Sequence, residues 1–148
     1  MEIKIGNGCN NIVFGMSEKN VKNVLGEPNK EYCRYISSGC NHKVYQYNDL
    51  MIAPIFHEEE NFKLYTIEVY NTNIRLWDFK LFNKNMEEVT SFLISKGYTT
   101  LENESYETFD TLYCDELNIN FAFEFNRLTN ASFSPLWNND NILWPKSL

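Results

Sequence analysis

Cys33, Cys40 and His42 fall within ten residues of one another, and theirs is the side-chain chemistry in this chain that could reach furthest. With His57 or Cys114 as a fourth ligand they could hold a zinc ion, which takes thiolates and imidazoles in a tetrahedron. Such sites usually show paired spacings, Cys-x2-Cys or His-x3-His, and the sequence has neither. Cys40 and His42 alternate, so on a strand they would point the same way, as a thiol nucleophile and its base must. No third group to orient the base is evident. The sequence also lacks a Gly-rich phosphate loop, a GxSxG elbow and an HExxH motif. The reading is therefore of ordinary reduced thiols at Cys9, Cys33, Cys40 and Cys114, with no catalytic residue, no metal ligand and no cofactor.

The 148 residues suit one domain of common size, or two small halves sharing a core. Hydrophobic residues at 43% and charged residues at 22% argue for a globular chain and against disorder. Eleven Phe, nine Tyr and three Trp are many rings, which fill a core or line a recognition surface. The net charge of −7 disfavours nucleic acid and acidic membranes as partners, since both are polyanions. The opening MEIKIGNGCN has no basic region followed by an apolar run, and no window approaches the roughly 18 apolar residues of a membrane span. A cytoplasmic protein with reduced cysteines is the expectation.

The element that positions everything else is a short helix after Phe14. Ser17 can cap it by accepting from the Asn20 amide, and Met16 can staple onto Val21. Val21, Val24 and Leu25 share a face at i, i+3, i+4 spacing, and Gly26 and Pro28 end the helix. Ile3 and Ile5 suggest a strand before it, broken by GNGCNN. After it come a hairpin (Tyr32 to Ile36, then Val44 to Tyr47), a strand Leu50 to Phe56, a charged turn, and a returning strand Lys63 to Tyr70.

The plan then repeats. Ile74 to Phe82 reads as a strand, and Asn85 with Glu88 forms a capping box for a second helix. Val89, Phe92 and Leu93 stand 68 residues after Val21, Val24 and Leu25, as Tyr113 does after Tyr45. Glu116 to Ile119 and Phe123 follow Asp49 to Ile52 and Phe56 at an offset of 67, with Asn130 to Ser134 as the hairpin partner. The expected fold is α+β: two tandem helix-plus-antiparallel-sheet units, about 1–72 and 73–148, joined in one continuous curved sheet with helices on one face.

Strand parity then proposes a binding face. Leu117, Ile119, Phe121, Phe123 and Phe125 should point at the helices, leaving Asn118, Asn120, Ala122 and Glu124 open. In the first unit Leu50, Ile52 and Phe56 point inward and Met51, Ala53 and His57 outward. Sheet twist would make the open face concave. Its partner-binding candidates are Tyr47, Met51, Glu68, Tyr70, Asn118, Asn120 and Glu124. Trp77 reads as core. Trp137 and Trp144 flank a polar turn and read first as staples for the tail, with Trp137 a further candidate anchor for a partner. Glu58-Glu59-Glu60 reads as a solvated turn that could also steer a basic partner.

The segments FGMSEKNVKNVLGEP, YQYNDLMIAPIF, LYTIEVYN and the tail SPLWNNDNILWP resemble small bacterial tandem-repeat proteins of the β-lactamase-inhibitor-protein-like fold, which a lipoprotein of outer-membrane assembly shares in single copy. The resemblance implies a non-enzymatic inhibitor that grips its target with a concave sheet. Exported members carry a signal or a lipid-attachment cysteine near the start, not evident here. This departure turns the implication toward a cytoplasmic immunity protein that occludes a protein toxin, such as a basic nuclease. The other readings are a small-molecule or lipid-binding module and a structural subunit.

Overall fold

A computed structural model describes residues 1–146. In chain order the strands are β1 (Glu2–Ile3), β2 (Gly8–Cys9), β3 (Ile12–Val13), β4 (Lys30–Arg34), β5 (His42–Gln46), β6 (Ile52–His57), β7 (Lys63–Val69), β8 (Arg75–Leu76) and β9 (Phe79–Lys80). They continue with β10 (Leu101–Ser105), β11 (Asp110–Cys114), β12 (Ile119–Glu124), β13 (Arg127–Phe133), β14 (Leu136–Asn138) and β15 (Asn141–Leu143). Helix α1 (Glu18–Leu25) lies between β3 and β4, and α2 (Met86–Ser95) between β9 and β10.

Both helices start where local chemistry requires. The Ser17 hydroxyl accepts from the Asn20 amide, and Asn85 and Glu88 close a reciprocal capping box. Val21 in α1 and Val89 and Leu93 in α2 are wholly buried, whereas Val24 is 43% exposed and stands off the core face.

The fold is α+β, dominated by one eight-stranded antiparallel sheet in the order β10-β11-β12-β13-β7-β6-β5-β4. Its two four-stranded meanders meet at the centre, where Ala131, Ser132 and Phe133 pair with Val69, Glu68 and Ile67. Inward side chains of the central strands (Ile67, Val69, Phe121, Phe123, Ala131, Phe133) pack with Val21, Val89 and Leu93 in a single core cluster, so both helices cover the same face. Burial of this aromatic and aliphatic surface is the main source of stability.

Several expectations need correction. The stretch 74–82 is not one strand. Trp77 adopts a left-handed φ of 53° and turns it into the β8–β9 hairpin, leaving the indole part-exposed and stacked on Tyr98. The parity run ends early: Leu117 is buried in the turn before β12, and Phe125, at φ 50°, lies in the next turn, 99% exposed. Cys33 and Cys40 are not free thiols but a disulfide across the β4–β5 hairpin, with Cα atoms 5.3 Å apart. Only Cys9 and Cys114 remain free, both buried. No helix among the described residues is long and apolar enough to cross a membrane.

Candidate functional site

The sheet's other face bears no helix, and over its centre lies a groove of about 380 Å3. Its floor comes from the middle strands: Glu68 on β7, Thr129, Asn130 and Ser132 on β13, Asn120, Ala122 and Glu124 on β12, and Thr111 on β11. Arg34 and Tyr70 wall it on one side and Phe109, in the β10–β11 turn, on the other. Strand alternation explains the polar floor, because each of these residues neighbours one committed to the core below. Bulges opposite Ile55/Phe56 and Ala122/Phe123 add one residue each to β7 and β13, interrupting the alternation, and the second lets the neighbours Thr129 and Asn130 both face the groove.

The walls show how far the sheet bends. Arg34 on β4 is level with His42 and His57, whereas Glu68 on β7 is level with Ala53, so in a flat sheet they would stand three strand spacings across and four residues along, roughly 19 Å apart and beyond the combined reach of the two side chains. Their side chains nonetheless meet, with Arg34 Nη1 2.6 Å from Glu68 Oε1. The edge strand therefore curls over the open face, and Tyr32, bonded through its hydroxyl to Arg34, packs on Val44, Ala53 and Ile55, a small second apolar cluster. Tyr70 also donates its hydroxyl to Glu68. Glu68 chiefly raises the Arg34 pKa, while burial first and Glu68 second raise that of Tyr70, so at neutral pH the guanidinium is charged and the phenol protonated.

Four of the residues singled out from sequence come together in this groove: Glu68, Tyr70, Asn120 and Glu124. Glu68 does not serve as a free acid there, since Arg34 neutralises it. Met51 lies beside the groove, at φ 54°, lining an apolar pocket of about 270 Å3 with Tyr32, Ala53 and Tyr70. Tyr47 lines the same pocket from below, with little surface to offer a partner. It is 5% exposed, and its hydroxyl donates to the Gly26 carbonyl at the end of α1. Asn118 is held in the β11–β12 turn, donating to the Pro135 carbonyl at 2.8 Å and accepting from the Tyr113 hydroxyl at 2.9 Å. Trp137 donates its indole N–H to the Tyr65 hydroxyl at 2.8 Å, and Trp144 meets the same ring edge-on, so the two indoles bracket Tyr65 and pin the tail.

Sequence reasoning missed the wall residues Arg34 and Phe109 and the floor residues Thr111, Thr129, Asn130 and Ser132. Alternation in the Asn130 to Ser134 segment could have identified Asn130 and Ser132. Of the proposed metal or catalytic set, Cys33 and Cys40 are bonded to each other and His42 stacks on His57 with ring centres 3.9 Å apart. Burial and the neighbouring His42 lower the His57 pKa to about 4, leaving it neutral at pH 7. No group of three or more His, Cys, Asp or Glu among the described residues is arranged to hold a metal ion.

No family model matches the sequence, and no curated protein does. A solved structure of an extracellular protein containing an SCP domain, from Bacillus anthracis str. Ames, is similar with a TM-score of 0.50 and 13% identity. The match covers 90% of this chain and 48% of that one, so this chain spans about half the length of its structural neighbour. At that identity the likeness is one of fold.

Proposed function

We propose that this protein is a non-enzymatic inhibitor of the immunity type, which binds a protein toxin on the open face of its sheet and occludes it. The observation that carries the reading is the groove itself: a polar floor of amides and hydroxyls, roofed by no helix among the described residues and walled by two hairpins. A standard interface buries ~1,600 Å2 in total, more than the groove alone offers, so the hairpin tips with Tyr35, Ile36 and Tyr106 exposed would share in it. The net charge of −7 favours a basic target and speeds its approach. Contact with cations falls to Glu102, Glu104 and Glu124, because Glu68 is already paired. A small molecule is a poorer occupant. Ligand sites are mostly apolar and bury most of their ligand, whereas this groove is floored by amides and hydroxyls.

The same proposal includes a tandem duplication, residues about 1–72 and 73–148. Its support is the recurrence of a β-hairpin, a helix and four strands. The two sheet bulges sit 67 residues apart, and β7 and β13 share one burial pattern along their length. The Cys33–Cys40 bond supports an oxidising compartment for the encounter, in preference to the cytoplasm.

The test is co-expression with the toxin-domain product of an adjacent gene. Wild type should restore growth and co-purify with the toxin, and Ala122→Arg, which fills the groove floor, should do neither while folding normally. Equal protection by Ala122→Arg and by Asn130→Arg would remove the open face as the binding surface.

A further inference from the structure

The groove does not end at its own walls. Tyr70 also lines the apolar pocket beside Met51, and Phe109, Thr111 and Asn120 also line a further cavity of about 570 Å3 that reaches Glu102 and Glu104 on the edge strand β10. Shared residues make these three hollows one trough running across the strands. Its ends differ in chemistry. At the first-half end Tyr32, Met51, Ala53 and Tyr70 make a mainly apolar lining, with Gln46 and Asn48 its polar members, a seat for one apolar side chain. At the other end stand Glu102, Glu104 and, toward the middle, Glu124, and the one cation in the groove between the ends, Arg34, is committed to Glu68.

Resting on the reading that this face holds a protein partner, we propose that the partner's contribution is an extended basic segment laid crosswise over the sheet. It places one aromatic or aliphatic residue between Met51 and Tyr70, and lysines or arginines on Glu102 and Glu104. The trough selects this occupant for three reasons. Its floor is too polar for an amphipathic helix to bury an apolar face upon, while an extended backbone can pair its own amides and carbonyls with Thr111, Asn120, Asn130 and Ser132. An apolar side chain gains most where aromatic walls exclude water. The charge at the far end repels acidic sequence and attracts basic sequence. From Ala53 on β6 to Glu104 on β10 is five strand spacings, about 24 Å, which an extended peptide covers in about seven residues.

The experiment uses a synthetic library of ten-residue peptides retained on immobilised wild-type protein and, in parallel, on Ala122→Arg. Retained sequences should carry an aromatic or aliphatic residue about seven positions from a Lys/Arg pair. Binding of a representative peptide should weaken at least tenfold in Met51→Glu and in Glu102→Lys/Glu104→Lys, with circular dichroism unchanged. Acidic selected sequences, an absent spacing, or equal retention on Ala122→Arg would overturn the inference. If a folded toxin is still lost by Ala122→Arg while no such peptide is selected, the inhibitor reading survives and the extended-segment inference fails. If toxin binding ignores Ala122→Arg, the reading itself fails.

Discussion

Arg34 and Glu68 meet at 2.6 Å although three strand spacings separate their strands, and this ion pair ties the curled edge of the sheet to its centre. Glu68 is 14% exposed and Arg34 40%, so the pair lies between the solvent-screened and the buried extremes. A double-mutant cycle with Arg34→Ala and Glu68→Ala should give a coupling of about 1 kcal/mol by urea denaturation, smaller in high salt. Arg34→Ala alone should cost more than Glu68→Gln, since it leaves a mostly buried carboxylate without its cation, held by the Tyr70 hydroxyl alone.

The Cys33–Cys40 bond closes a short loop, with a sequence separation of 7, and holds the hairpin tip that presents Tyr35 and Ile36. Chain-entropy reasoning puts its stabilising effect at about 2.4 kcal/mol. Unfolding with and without a phosphine reductant should show that difference, and Cys33→Ser should abolish the reductant's effect. Alkylation in denaturant should label two cysteines without reductant and four with it, because Cys9 and Cys114 are free. In the native state neither should react, and burial holds the Cys9 thiol up at about 12.

What the sequence disclosed was local or strictly periodic. Ser17 and Asn85 declare their helices within three residues, and the alternation through Ile119, Phe121 and Phe123 declares the inward face of β12. What it concealed depends on geometry over longer range. Strand β10 has one inward apolar residue, Leu101, and a polar remainder that reads as loop. Trp77 continues an apolar pattern yet takes a left-handed backbone, so the pattern gave no sign of the β8–β9 turn. Tyr47 and Tyr45 share a parity and both turn toward α1, where Gly26 offers an acceptor. The groove's walls come from opposite ends of the sheet, and only the curl that joins Arg34 to Glu68 brings them over one floor.

His57 gives the fold a pH dependence. Its ring stacks on His42 and meets Tyr65 at a tilt, with Nε2 3.1 Å from the Thr66 hydroxyl, and its pKa is lowered from 6.5 to about 4 by burial first and by His42 second. Burial and the charge of Arg34 also lower that of His42. As pH falls below 6.5 the unfolded chain takes up a proton that folded His57 refuses until about pH 4. Stability is therefore full above pH 6.5 and declines from there to about pH 4. Urea midpoints should fall between pH 7 and pH 5, above the range of ordinary carboxylates, and His57→Gln should flatten that slope.

The tail is held by one ring. Tyr65 receives the Trp137 indole N–H at 2.8 Å and the edge of Trp144, and Lys63 lies over the Trp144 face. Tyr65→Phe removes only the acceptor and should cost about 1 kcal/mol, whereas Trp144→Ala also removes a ring packed on the core. If pinning the β14–β15 hairpin is what these contacts do, Trp144→Ala should expose it to limited proteolysis, with cleavage confined to residues after Ser134 and the rest of the chain intact. Binding at the groove, which is lined by neither indole, should survive that cleavage. Loss of binding together with the hairpin would instead make the tail part of the recognition surface, and would move the partner's footprint toward Tyr65 and Tyr113.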